Sequence, residues 1–203
     1  MSALAAFWRH GSNLLLAFAA IALVGLFSTR ALAFGPLSLL AVAAGAAVFF
    51  VSEYTTHRFL LHARPSRQPF VLRLQHRLHY DHHVDPAKLE LLFLPPWFVI
   101  PVAALTLAIY FAATRSWSVS AALLLGSVLG LLWYEWVHHV AHAGIVPVTT
   151  FGRWMKKYHL RHHFKNERMW FGVTNPSMDV AWRTFARVDD VDRSGTTRVL
   201  FPR

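Results

Sequence analysis

Four long apolar runs constrain this chain before anything else does: Ser12–Thr29, Gly35–Tyr54, about Leu91–Ala113 and Ser118–Trp136. Each reaches or approaches the ~20 helical residues needed to cross a ~30 Å hydrocarbon core. Four buried helices of a soluble bundle would need polar faces, and Ala17–Leu26 and Ala121–Leu132 have almost none. Composition agrees, with 55% hydrophobic and 15% charged residues, against roughly 25% charged in soluble domains. The expected fold is therefore all-α and integral to the membrane, one domain over residues 1–203 with four transmembrane helices.

The connections organise the spans. Arg30–Phe34 and Thr114–Trp117 are too short for anything but tight turns, so the helices pair as two hairpins. Pro95, Pro96 and Pro101 crowd the start of the third run. Proline suits a first helical turn, so this helix is expected to begin near Pro96 and to kink at Pro101. Two longer segments remain, 55–90 and 137–187, followed by a polar tail over 188–203 that lacks periodicity and is expected to be loosely ordered. Of the 20 Lys and Arg residues, six lie in 55–90 and eleven from 137 onward, while Arg30 and Arg115 alone occupy the short turns. The positive-inside rule then puts both termini and both long segments in the cytoplasm. Reading Arg9, the first apolar run and Ala31-Leu32-Ala33 as a cleaved signal peptide would leave that topology unchanged, because the second span follows at once. The formal charge of +10 is what a basic face beside anionic headgroups requires. No nucleic-acid-binding motif accompanies it, so no nucleic-acid partner is expected.

Chemistry is concentrated in histidine. There are 13, of which 12 fall in the windows 57–83 and 138–163, and there is no cysteine to make a disulfide or thiolate site. Four groups appear in order: His57 with His62; His79, His82 and His83; His138 with His142; and His159, His162 and His163. Positions three and four apart share a helix face. His79 is therefore expected to converge with His82 and His83, and the last triplet to repeat that geometry. His57 and His62, five apart, sit roughly 140° around an α-helix and so reach different metals or adjoin a local distortion. Neutral imidazole is the commonest protein ligand for iron, copper and zinc, and one metal takes roughly four to six ligands, so ten histidines suggest two metals. Spacing alone leaves His138 and His139 as alternatives for pairing with His142.

Glu53 and Glu135 each precede a histidine by one helical turn. Charges at a membrane boundary are costly enough to need partners, and both are read as carboxylates that orient imidazoles without touching metal. The Glu-x-x-His pair of a soluble di-iron carboxylate bundle occurs once, at Glu135–His138, where two are needed. His10, His76 and His139 are left outside the metal set.

These groups resemble the boxes of the fatty acid hydroxylase and sterol desaturase superfamily. Glu53-Tyr-Thr-Thr-His-Arg-Phe-Leu-Leu-His62 looks like its first box. His79 to His83, with Pro86 and Leu92-Phe-Leu-Pro-Pro96, looks like its second. His138 to His142 with Gly144, and His159 to His163 with Phe164, look like the others. Phe171-Gly-Val-Thr followed by Asp179 is similar to fatty acid 2-hydroxylases, although Asn175-Pro-Ser-Met178 lacks the aromatic residue usual before the aspartate. The resemblance implies metal ligands at His57, His62, His79, His82, His83, His138, His142, His159, His162 and His163, and it favours His138 over His139. It implies two iron ions (zinc being a substitute in purified protein), O2, and electrons from a separate electron-transfer protein. The implied reaction is hydroxylation of a fatty acyl chain near its carboxyl end. The charge distribution sets it on the cytoplasmic membrane face, where the lipid headgroup is expected among Arg64, Arg67, Lys156 or Lys157. A sterol or other lipid desaturase of the same superfamily is the competing reading. From other classes, a metal transporter would place its ligands at the bilayer midplane, and a zinc hydrolase would show a motif such as His-Glu-x-x-His.

Overall fold

A computed structural model describes residues 3–201 and is helical throughout, with no strand among them. In chain order the helices are α1 (Ala3–Arg9), α2 (Gly11–Ser28), α3 (Pro36–Thr56), α4 (Pro69–Gln75), α5 (Asp81–Val84), α6 (Leu89–Leu92), α7 (Pro96–Thr114), α8 (Trp117–His142), α9 (Thr150–Phe164) and α10 (Ser177–Ala181). Two π-helical turns, His57–Leu61 and His76–Tyr80, continue α3 and α4. Four segments are long and apolar enough to cross a membrane: Gly11–Ser28, Pro36–Leu61, Leu89–Thr114 and Trp117–His142. As expected, Pro96 opens α7, and Pro101 lies inside that helix. The second and fourth segments run on past Tyr54 and Trp136, so His57, His138 and His142 sit on continuous helices rather than in separate loops.

The chain forms two compact units. One comprises the residues up to Phe50 together with Leu94–Glu135; the other comprises Val51–Phe93 and the chain from Trp136 onward. In the first unit α3 and α8 meet backbone to backbone. A Cβ added at Gly45 would lie 1.9 Å from the Leu123 carbonyl oxygen, and one at Gly126 would lie 2.0 Å from that of Val42. Helices in lipid gain little from burying apolar side chains, so close packing through small residues becomes the means of association. Ala122 is fully buried in the same contact. Ser127 donates to the Gly45 carbonyl at 3.1 Å and meets the Tyr110 hydroxyl of α7 at 2.8 Å. Leu16, Val99 and Val128 add an apolar cluster joining α2, α7 and α8. Phe18, Ile21, Leu39, Leu40, Leu105 and Ile109 face outward, a surface that suits hydrocarbon and not water.

The second unit gathers the end of α3, helices α4–α6, the end of α8, α9 and α10. The polar tail is not loose here. Lys165 donates to the Val188 carbonyl, the Ser194 N–H donates to the Lys165 carbonyl at 2.8 Å, and Arg198 donates to the Val84 carbonyl. Side-chain and backbone hydrogen bonds to helical residues order this stretch without any apolar period of its own.

Candidate metal centre

All ten histidines lie in the second unit and converge in two groups of five: His57, His62, His79, His83 and His162, and then His82, His138, His142, His159 and His163. Within each group the candidate ligand nitrogens all lie within 4.8 Å of one another.

Local backbone geometry decides the partition. The π turn over His57–Leu61 closes with the His62 N–H donating to the His57 carbonyl at 3.0 Å. An i→i+5 bond brings residues five apart onto one face. His57 and His62 therefore point into one group, with ring centroids 5.0 Å apart, and the reading that sends them to different metals is corrected. The triplets also behave differently from the expectation. His79 and His83 enter the first group while His82 enters the second; His159 and His163 enter the second while His162 enters the first. Each triplet keeps its i,i+4 pair together and sends its middle histidine across, because residues at i+3 and i+4 diverge by about 100° around the helix. His138 and His142 form the expected i,i+4 pair.

The nitrogen spacings suit a shared ion. The Nε2 atoms of His57 and His79 lie 3.2 Å apart, those of His62 and His79 2.7 Å, and those of His62 and His162 3.0 Å. In the other group the His82–His138 and His142–His159 pairs are 3.0 and 2.9 Å apart. Imidazole nitrogens at ~2.0–2.1 Å from a common metal stand ~2.8–3.4 Å from their neighbours for right-angle to tetrahedral geometry. His83 Nε2 is buried with no hydrogen-bond partner among the described residues, as a ligand lone pair would be. Both ring nitrogens of His163 are likewise without one, of which a neutral ring offers one as a lone pair.

The electrostatics agree. Burial first, and neighbouring imidazoles second, hold His62, His79, His82, His159 and His163 well below the ordinary 6.5. The metal-binding form of imidazole is the neutral one. Three rings also have their tautomer set by the main chain. A carbonyl can only accept, so the contacts of His57 Nδ1 with Phe171 O (2.6 Å), His162 Nδ1 with Met169 O (2.9 Å) and His83 Nδ1 with Thr197 O (2.8 Å) put the proton on Nδ1. Nε2 keeps its lone pair for the group's centre.

Glu53 and Glu135 do not hold imidazoles. Glu53 accepts from the Val173 and Thr174 N–H groups at 2.6 and 3.2 Å and from the Thr174 hydroxyl. It fixes the loop whose Phe171 carbonyl anchors His57, one step further from the ring than expected. Glu135 accepts from the Leu94 N–H at 3.0 Å, where the chain enters α7. Lys156 is not available to a headgroup either: its ammonium donates to the Val140, Ala143 and Ile145 carbonyls at 3.0, 2.9 and 2.8 Å, closing the end of α8. Arg64, Arg67 and Lys157 stay exposed. His76 pairs with Asp81 at 2.9 Å on the surface.

Asp179 enters the sequence reading only through the family resemblance, with no role of its own, and the structure gives it one. Fully buried, its carboxylate accepts from the Phe171 and Gly172 N–H groups at 2.9 and 2.7 Å, the Tyr158 hydroxyl at 2.8 Å and the Thr184 hydroxyl at 2.6 Å. It thus ties the Phe171 loop to α9, which carries three of the histidines. An acidic residue flanked by Met178 and Val180 was the available signal.

Comparison with known proteins agrees with this architecture. A model of the fatty acid hydroxylase family matches residues 42–184. The dihydroceramide fatty acyl 2-hydroxylase of Arabidopsis thaliana is 31% identical over 158 residues, covering 77% of this chain and 65% of that protein. The ceramide very long chain fatty acid hydroxylase of Saccharomyces cerevisiae is 31% identical over 148 residues, 71% of this chain and 38% of its own length. The fatty acid 2-hydroxylase of Rattus norvegicus is 28% identical over 144 residues, 69% of this chain and 38% of that protein. The matched region is thus less than two thirds of each relative. A solved structure of full-length scs7p, with only its hydroxylase domain visible, superposes with a TM-score of 0.74 at 26% identity, covering 89% of this chain and 65% of that one. The matched span of 143 residues, 42–184 inclusive, takes in all ten clustered histidines, and the chain belongs to the fatty acid hydroxylase family.

Proposed function

We propose that this chain is an O2-dependent lipid hydroxylase in which the two five-histidine groups each hold an iron ion. The substrate is a fatty acyl chain, hydroxylated near its carboxyl end, and the site faces the cytoplasm. The observation that carries this reading is the pair of buried all-imidazole groups in a member of this family. The irons, with O2 and electrons from a separate donor protein, supply the oxidising power that an unactivated methylene C–H demands and that no side chain has.

The chain's own contribution is placement and exclusion. Burial keeps the imidazoles neutral and their lone pairs directed inward. The carbonyls of Met169, Phe171 and Thr197 fix ring orientation, which in metalloproteins typically changes metal affinity or activity ~10–100-fold when lost. No nucleophile or general base is assigned, because no covalent protein intermediate is required. The apolar outer surface of the spans delivers an acyl chain from the bilayer.

Host lipids compared by mass spectrometry, with the intact gene and with His82→Ala and His162→Ala, test the reading. The intact chain is expected to add one oxygen to an acyl group and to contain two metals. Each variant is expected to lose the product while still inserting in the membrane, since insertion depends on the apolar spans. Loss of two hydrogens would make the chain a desaturase, and product from either variant would remove that histidine from the centre.

A further inference from the structure

The Thr197 carbonyl that anchors His83 belongs to a stretch outside the residues 42–184 matched by the family. We infer that residues 188–198 form a strap that positions one metal group and not the other, and that Glu167 is the positioning residue that fastens it. The inference rests on reading the histidine groups as metal sites; it does not depend on which lipid is used.

The fastening is specific. Glu167 is only 4% exposed, and its Oε1 accepts from the Ser194 hydroxyl at 3.0 Å and the Thr196 hydroxyl at 2.6 Å. Thr196 immediately precedes the buried Thr197, so Glu167 sets the backbone whose carbonyl accepts from the His83 Nδ1–H group. Other bonds hold the strap along its length. Asn166 donates to the Asp192 carbonyl at 3.2 Å, Lys165 to that of Val188, and Arg198 to that of Val84, next to His83. Residues 165–167 directly follow α9, so the strap is fixed to the helix that bears His159, His162 and His163.

Among the described residues, the only cation beside this buried carboxylate is the exposed Arg168, whose Nε lies 3.8 Å from Oε1, and Oε2 is buried without a hydrogen-bond partner. Such burial is costly, which is easier to understand if Glu167 organises a site than if it merely closes a loop. The bond it organises reaches His83 alone. His83 belongs with His57, His62, His79 and His162. The effect of loosening the strap should therefore fall on that group, and the group containing His82 and His163 should be spared.

The test uses the full chain in detergent, stripped of metal and titrated with Co²⁺, whose visible absorption reports imidazole ligation, with bound metal also counted by elemental analysis. In Glu167→Leu, and separately in Ser194→Ala/Thr196→Val, one of the two Co²⁺ sites is expected to weaken ~10–100-fold, the range for lost outer-shell partners. The other site should keep its wild-type affinity. Glu167→Gln retains an accepting oxygen and should restore both. Equal weakening of both sites, or no weakening of either, would overturn the strap. A wild-type chain that binds fewer than two Co²⁺ would instead overturn the dimetal reading. If Glu167→Leu does not fold, the hydroxyl pair decides the question.

Discussion

Replacing Asp179 with alanine should unfold the second unit or strip its metal, and the magnitude can be worked from its four partners. The Phe171 and Gly172 N–H groups and the Tyr158 and Thr184 hydroxyls would all lose their acceptor. Leaving a buried donor unsatisfied costs about 1–3 kcal/mol. Four of them at the lower limit come to ~4 kcal/mol, a large part of the ~5–15 kcal/mol that holds a typical domain. Burial and the adjacent Asp179 charge hold the Tyr158 hydroxyl well above its ordinary value, so that donor persists at any working pH. Asp179→Asn keeps one accepting oxygen and turns an N–H toward two of the donors, for a loss of ~2 kcal/mol or more. Tyr158→Phe removes a single bond, or ~1 kcal/mol. In a chain of this size each kcal/mol lowers the melting temperature by about 2–4 °C. Thermal unfolding in detergent, with metal content measured in parallel, should rank the variants wild type, Tyr158→Phe, Asp179→Asn, Asp179→Ala. An alanine variant melting within ~2 °C of wild type with two metals bound would refute the assignment of Asp179 as the hub.

Two further changes probe the frame. Gly45→Ala and Gly126→Ala each place a Cβ about 2 Å from a facing backbone oxygen, so either should cost ~1–3 kcal/mol by forcing α3 and α8 apart, whereas Gly25→Ala, with nothing within 4 Å, should be neutral or mildly stabilising; equal melting temperatures for all three would sink the close-packing argument. Lys156→Met leaves the Val140, Ala143 and Ile145 carbonyls without their shared donor, so it should lower stability by ~1–3 kcal/mol without altering the lipid product; an unchanged melting curve would mean that the lysine does not close α8.

The spans were readable because hydrocarbon asks for one property over a known length, and runs such as Ala17–Leu26 and Ala121–Leu132 supply it without reference to any distant residue. Helix ends were less readable. α8 continues to His142 because Val137, Val140 and Ala141 are as compatible with helix as the run before them, and only a hydropathy drop marks Trp136 as a boundary. The tail over 188–203, expected to be loose, is held over 188–198 for a reason that pattern does not carry. Its order comes from Glu167, Lys165 and Val84, between 23 and 114 positions away, and periodicity carries no trace of such contacts.

The histidine site shows where spacing succeeds and where it needs one more fact. Local pattern gives nine of the ten members, and the family resemblance supplies the choice of His138 over His139. Their division between the two groups of five depends on backbone form. On an α-helix a spacing of five wastes the second ligand; on an i→i+5 turn it is the spacing that aligns two rings. His57 and His62 are thus evidence for the π turn as much as a consequence of it, and the stated choice between different metals and a local distortion was resolvable by asking which one left both rings useful. For the triplets no such question decides. A pair and a triplet already make five, so the count leaves each triplet whole, and only the fold shows His82 and His162 crossing over while the i,i+4 pairs stay together. The carboxylates allow no such reasoning. Glu53 is one turn before His57 in sequence, yet its partners are Val173 and Thr174, 120 and 121 residues on. Its effect on His57 passes through the Phe171 carbonyl, a backbone group that every residue possesses and that no sequence pattern can single out.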